Sequence, residues 1–543
     1  MRRFRLSIFA VLIGATIWAA DWPMPGGNPQ RNGWAGSERK INKRNVSSLR
    51  LLYKYQTDNR SDGMNSLTAP IINGNLITYR GFKEMLIFAG SSDKVFSVDA
   101  DLNKLIWETQ LPYKASTPPR KTFTPACPGG LTAPVVMAGS SSSFFDFAAR
   151  ARQMPAVRGV RRPRPSPYLP PLAQSVYPLL PTTLTQLDAL YVVTSDGYLH
   201  VLNSSTGQDL VPPVRFIPPN AKVTSLNLRN NIVYATTSDN CDGYQDALFA
   251  LDLLSPGKTV TTFVAPGGFS GTAGTAIGKD GTIYVQIVDA PDERGRYHDA
   301  VVALTPKELR PKGYFRLGDK SIDKAAPSIS PVVFSSQGRD VVIAAGRNGR
   351  IYLLDSKSVA QSDHPAPLFV SAPLIRIRKH GGSGFRGAFS TWSDVEAGTR
   401  WFYAPVSGSL RLPGSLKAVS SERKEGAILA LKLGGTPERP TLQPAWISPN
   451  VISPAPAVIA NGMIFVLSRG QSADSSDKPA GPATLFVFDA LTGKQLYSSG
   501  KVLPGVAPFT GLALANGRAY FSTQENAVYC FGIPSQHTQL SRR

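Results

Sequence analysis

Residues 382–401 read GSGFRGAFSTWSDVEAGTRW and gather Arg386, Trp392, Asp394, Arg400 and Trp401 into one short stretch. A guanidinium beside an indole can stack on a planar molecule and pair with its carboxylates. Arg386, Trp392 and Asp394 are therefore read as candidate ligand-binding residues. The competing reading is structural: the indoles dock in the core and Arg–Asp pairs tie a loop. Residues 238–246 (SDNCDGYQD) bring Asp239, Asn240, Asp242 and Asp246 beside a glycine. Such oxygen-rich loops can hold Ca²⁺, but the spacing is not that of an EF-hand. An Asx-rich turn is the preferred reading, and no metal site is assigned. His200, His298, His364, His380 and His537 form no i, i+4 or H-x-H group. No Ser–His–Asp order, G-x-S-x-G elbow or phosphate loop supports hydrolase or nucleotide chemistry.

The elements that would position these residues come from an internal repeat. A short alternating strand recurs eight times, as in VFSVD ending at Asp99, LHVLN at Asn203, LFALD at Asp252, IYLLD at Asp355 and LFVFD at Asp489. An opening segment precedes most copies, beginning at Leu67, Leu131, Val223, Gly271, Ala325, Ser453 and Thr510. Each opening segment starts with small or hydroxylated residues, runs apolar, and most turn at Asn-Gly or Asp-Gly. Both central residues of a type I′ turn need positive φ, so these dipeptides mark hairpins. One such meander cannot bury both faces, and four strands per repeat of this length make a propeller blade. Residues 49–57 (LRLLYKYQT) are a strand with no meander before them, and only a short polar tail, 535–543, follows the last copy. The expected fold is all-β: an eight-bladed β-propeller of four-stranded antiparallel blades over 21–534, its ring closed by the N-terminal strand. The residues opening the innermost strands then line the channel. They include Asn65, Thr132 and Thr510, taken as candidate ligand contacts, with Thr68, Ser225, Thr275, Ser328 and Ser390. These groups can bind a polar ligand or hydrate a water-filled channel, the second being the default.

Three Arg, an apolar run and small residues at Ala19 and Ala20 give residues 1–20 the pattern of a secretory signal peptide. Cleavage after Ala19 or after Ala20 fits equally. An exported protein, periplasmic or secreted, is expected, not transmembrane after cleavage and monomeric. Loss of these residues lowers the formal charge from +22 to +19, which favours anionic surfaces over nucleic acid in that compartment. The insertion 139–181 carries Arg150, Arg152, Arg158, Arg161, Arg162 and Arg164 among Pro and Ser. It is read as an extended loop able to dock on an anionic membrane or acidic envelope protein, or as a tolerated insertion with no partner. Cys127 and Cys241 fall in loops of consecutive blades and could pair in an oxidising compartment, which would leave Cys530 as a buried thiol; the sequence leaves the pairing open.

The Asp99-Ala-Asp…Trp107 segment, Asn203-Ser-Ser-Thr-Gly207 and Asp489-Ala-Leu-Thr-Gly-Lys494 resemble the blade motif of pyrroloquinoline-quinone (PQQ) repeat propellers, in which a following Trp docks between blades. Residues 20–34, ADWPMPGGNPQRNGW, resemble the mature N-terminus of exported members. The resemblance implies the fold over nearly the whole mature chain and leaves two functions open. One is a non-catalytic binding or scaffold module of the bacterial envelope. The other is a PQQ- and Ca²⁺-dependent quinoprotein dehydrogenase oxidising an alcohol or sugar, with the cofactor in the central funnel. PQQ is planar and carries three carboxylates, which suits Arg386 and Trp392. The chain departs from the dehydrogenases in lacking adjacent cysteines and a C-x-x-C-H haem site, and from the scaffold lipoproteins in lacking a lipidated Cys.

Overall fold

In the computed structural model, the described residues are 20–534 apart from 60–66, 79–80, 112–126, 128, 139–188, 266, 289–296, 319–328, 337, 376–382, 409, 412–425, 471–481 and 508–510. They are almost entirely β, in eight antiparallel blades. In chain order the blades span 71–110, 136–215, 222–264, 276–316, 332–370, 384–447, 458–498 and 513–532, the last completed by Arg50–Gln56. That strand pairs antiparallel with Ala527–Gly532, from Arg50 opposite Gly532 to Gln56 opposite Ala527. The ring is thus closed by an N-terminal strand, as the repeat count requires. No helix among the described residues is long and apolar enough to cross a membrane.

The eight recurrent sequence copies are the third strands, and their alternation explains where the core lies. Successive side chains of a strand point to opposite faces, so a blade between two neighbours buries both. Ala247–Asp252, Ala300–Leu304 and Ala527–Gly532 are buried along almost their whole length. The core is accordingly divided into clusters lying between successive blades rather than one central mass. A further cluster joins blades seven, eight and one.

Turn chemistry follows the sequence at two hairpins and departs from it at two others. Asn461–Gly462 and Asn516–Gly517 both have positive φ at each position, as type I′ requires. At 280–281 only Gly281 is left-handed, and Thr282 returns a hydrogen bond to the Asp280 carboxylate. At 73–74 the chain does not turn. The strand continues to Thr78 with an irregularity between Asn73 and Leu76, and the Gly74 N–H donates to Asp21 at 2.8 Å. A carboxylate from outside the blade satisfies this amide.

The blade motif acts as anticipated. Trp107 donates from Nε1 to the Ser204 carbonyl at 2.8 Å, and Trp446 to the Ala490 carbonyl at 3.0 Å. Each indole lies on a left-handed glycine of the next blade, Gly207 or Gly493, where a Cβ would stand within 2.4 or 2.6 Å of the ring. Cys127 and Cys241 form a disulfide that fastens the loop entering blade two to blade three, and Cys530 is a buried free thiol. Burial pushes that thiol up to about 12, which keeps it protonated and unreactive.

Candidate functional site at the channel mouth

The centre of the ring is filled by the chain's own residues 20–35. Three prolines in this segment lack N–H groups, and Gly26, Gly27 and Gly33 take positive φ, so it cannot form a ladder strand and turns repeatedly instead. Its carbonyls face outward to the innermost strands. Trp22 and Ile72 of blade one exchange N–H···O bonds of 2.9 and 3.0 Å. Pro23 accepts from Met137 of blade two, Pro29 from Ile277 of blade four, and Gln30 from Val333 of blade five. Asn32 accepts from Thr391 of blade six, and Gly33 from Ile459 of blade seven. The Asn516 side chain of blade eight bonds both the N–H and the carbonyl of Ala20, at 2.6 and 3.0 Å. The circuit visits the blades in nearly their order around the ring.

Blade three is held by Arg31. Its guanidinium donates to the Thr275, Pro25 and Leu226 carbonyls and to Ser225 Oγ. The side chain is 1% exposed, and burial lowers its pKa to about 9, so it remains a cation at neutral pH. Main-chain and hydroxyl oxygens carry the solvation that water would otherwise supply.

The hydroxyls that open the inner strands serve the same purpose. Thr132 donates to the Val223 carbonyl, Ser225 to Ala273 and Ser390 to Ala457, each from one blade to its neighbour. The sequence offered ligand binding or channel hydration for these groups; the structure spends these three on joining blades. Thr132 is half-buried in that role. Asn65, Ser328 and Thr510 lie outside the described residues.

The candidate residues of blade six are drawn apart by the strand that carries them. Ser390–Asp394 is an inner strand starting at the channel mouth, so its two ends face opposite sides of the ring. Arg386 stands at the mouth end, donating from Nε to Ser407 Oγ at 2.6 Å. Asp394 ends the strand and accepts from the Ala397 N–H at 3.3 Å, capping the hairpin. Trp392 lies opposite Trp401 across the pair and packs partly buried against the cluster between blades six and seven. Arg386 bonds Pro405 and Asp394 lies opposite Thr399, positions six residues apart on the partner strand, which separates their backbones by roughly 20 Å. Asp394 and Trp392 share one end, and Arg386 occupies the other.

The oxygen-rich loop 238–246 closes on itself. Asn240 and Asp246 exchange backbone-to-side-chain bonds of 3.0 Å, and Asp239 pairs with Lys222 at 2.7 Å. It is the Asx-rich turn that its spacing suggested. No group of three His, Cys, Asp or Glu that could hold a metal occurs among the described residues.

At the mouth a cavity of about 30 Å³ remains, with Trp22, Arg31 and Gly33 as its floor and Phe389, Ser390 and Leu512 in its wall. No carboxylate belongs to its described lining. A tricyclic tricarboxylate needs a pocket on the order of 300 Å³, and Ca²⁺ needs several oxygen ligands including carboxylates. The described residues of the mouth do not fit PQQ and Ca²⁺.

No protein-family model matches the chain, and no curated protein sequence does. Solved structures do match. Quinohemoprotein alcohol dehydrogenase ADHIIG from Pseudomonas putida HK5 is 12% identical over 95% of this chain and 80% of that one, with a TM-score of 0.57. The quinohemoprotein alcohol dehydrogenase of Comamonas testosteroni is 14% identical over the same shares, with a TM-score of 0.54. A europium-containing methanol dehydrogenase is 12% identical over 94% of this chain and 98% of that one, with a TM-score of 0.56. At such identities the likeness is one of fold: the chain is an eight-bladed β-propeller similar in architecture to quinoprotein dehydrogenases.

Proposed function

We propose that the protein is an exported binding or scaffold module of the bacterial cell envelope, which works through its outer surfaces and loops. The observation that carries this reading is the segment 20–35, which occupies the channel where a dehydrogenase of this fold would need room for cofactor and substrate. The Cys127–Cys241 disulfide supports an oxidising compartment and therefore export. The Arg-rich insertion 139–181, outside the described residues, supplies the contact with anionic envelope surfaces in this reading. Fold alone does not assign activity.

The test is titration of the purified mature protein with PQQ and Ca²⁺, followed by absorbance and thermal melting. No saturable change is expected in a protein shown by circular dichroism to be folded. Saturable binding with a raised Tm, weakened by Arg386→Ala, would overturn the proposal in favour of a quinoprotein dehydrogenase.

A further inference from the structure

On the face of the ring where the inner strands end, a cleft of about 300 Å³ opens between blades five and six. It is ten times the volume left at the channel mouth and falls at the lower end of the range of small-molecule pockets. Its walls come from the first hairpins of both blades and from the 433–440 loop of blade six. Among the described residues of its lining, the only charged side chains are Arg339 and Arg400.

Arg400 is held in place without a carboxylate. Its guanidinium carbon lies 5.2 Å from the centroid of the Phe334 ring, which in turn packs edge-on against Phe402. Nη2 donates to the Ser335 carbonyl at 3.1 Å and Nη1 to Thr391 Oγ1 at 3.3 Å. These bonds engage two of five N–H donors, and both acceptors are neutral. Partial burial lowers its pKa, as expected of a cation with no countercharge. Arg339 stands across the cleft, donating to the Pro437 carbonyl, with Nη1 3.6 Å from Asp355 Oδ2. Asp340, in the blade-five hairpin, is taken up by Ser335 Oγ and the Lys279 N–H. The lining adds the side chains of Ser336, Ser393 and Thr436, and of Thr399, whose hydroxyl donates to the Ala397 carbonyl at 3.1 Å.

A clasp between blades would be expected to spend the guanidinium on strong acceptors and to exclude water around it. Here a fixed, planar cation with unused donors borders a solvent-open space rich in hydroxyls. We propose that this cleft binds a small polyhydroxylated molecule bearing one carboxylate or phosphate, with the oxyanion on Arg400 and Arg339 and the hydroxyls on the Ser and Thr side chains. A fork of donors matches an oxyanion better than a point charge does.

Isothermal titration of the full-length mature protein with inorganic phosphate, glucuronate and glucose 6-phosphate, with glucose as the neutral control, tests the assignment. One saturable site is expected for at least one of the two sugar acids, with glucose binding at least tenfold more weakly. Inorganic phosphate saturating the same site marks the oxyanion as the main determinant. Glucuronate binding without glucose 6-phosphate, or the reverse, identifies which acid the cleft takes. Arg400→Gln should weaken the binding tenfold or more. Thr436→Glu, on the exposed rim, should do the same without touching the core. Absence of binding by either sugar acid to the folded wild-type protein, equal affinity for glucose, or affinity unchanged in Thr436→Glu would each overturn the proposal.

Discussion

Arg31 and Arg400 are both substantially buried cations without an acidic partner, and they have opposite surroundings. Arg31, at the centre of the ring, reaches four oxygen acceptors from three separate parts of the chain and leaves a cavity of about 30 Å³ beside it. Arg400, on the rim between blades five and six, reaches two neutral acceptors and borders about 300 Å³. A guanidinium with four of its five N–H donors taken by its own chain is a structural tie, because almost nothing remains for a ligand to use. One that is positioned but unsaturated is prepared for a partner. Counting donors against acceptors therefore separates the two roles where charge and burial alone do not.

The largest effect that could break this comparison is expected from Arg31→Ala. It orphans several buried acceptors at about 1–3 kcal/mol each, so urea unfolding should show a loss on the order of 3 kcal/mol or more. Arg400→Gln should stay within about 1 kcal/mol of wild type in the same assay. Comparable losses from the two would erase the distinction.

A smaller loss is expected from Gly33→Ala. Gly33 has φ +69°, and a Cβ there would lie 2.8 Å from Ser390 Oγ and 2.9 Å from the Ala457 carbonyl. Strain of this kind costs about 1–3 kcal/mol, and the melting temperature should fall while the affinity of the rim cleft stays unchanged. A change in that affinity would mean that centre and rim are coupled.

The third effect, smallest at neutral pH, concerns a buried acid held as Arg31 is held. Asp93 of blade one accepts from the Ser195 N–H and Oγ of blade two, and burial raises its pKa to about 7. The folded state then binds a proton more readily than the unfolded chain between about pH 4 and 7. Its contribution to stability is full below the ordinary aspartate pKa and declines as pH rises through 7. The advantage of wild type over Asp93→Asn should therefore shrink as pH is raised from 5.5 to 8, measured by parallel melts. An advantage that grows over that range would mean the carboxylate is ionised in the fold.

Much of the architecture was legible because it is periodic. The third strands, the Asn-Gly turns at 461 and 516 and the docking of Trp107 all depend on neighbours within one repeat or between adjacent repeats. Placing Cys127 and Cys241 in loops of consecutive blades made their pairing possible to propose, and the structure decides it. The channel circuit was not legible, since residues 20–35 have no periodicity and pair through carbonyls, which every residue type carries. The Arg386–Trp392–Asp394 grouping shows the opposite limit. Proximity in sequence suggested proximity in space, but an extended strand carries residues eight apart to different faces of the ring. The Arg400 cleft needed two residues, Phe334 and Arg400, that only the adjacency of blades five and six brings together.

The closure of the ring also sets a timetable. Arg50–Gln56 emerges early in synthesis, yet its partner strand, Ala527–Gly532, is made some 470 residues later. At about 5–20 residues per second that interval is roughly 25–95 s. Throughout it the first strand has no partner and the segment meant for the channel has no complete channel to enter. The ring is thus obliged to remain open until Ala527–Gly532 is made, and the blades synthesised before it must wait for their closing contact.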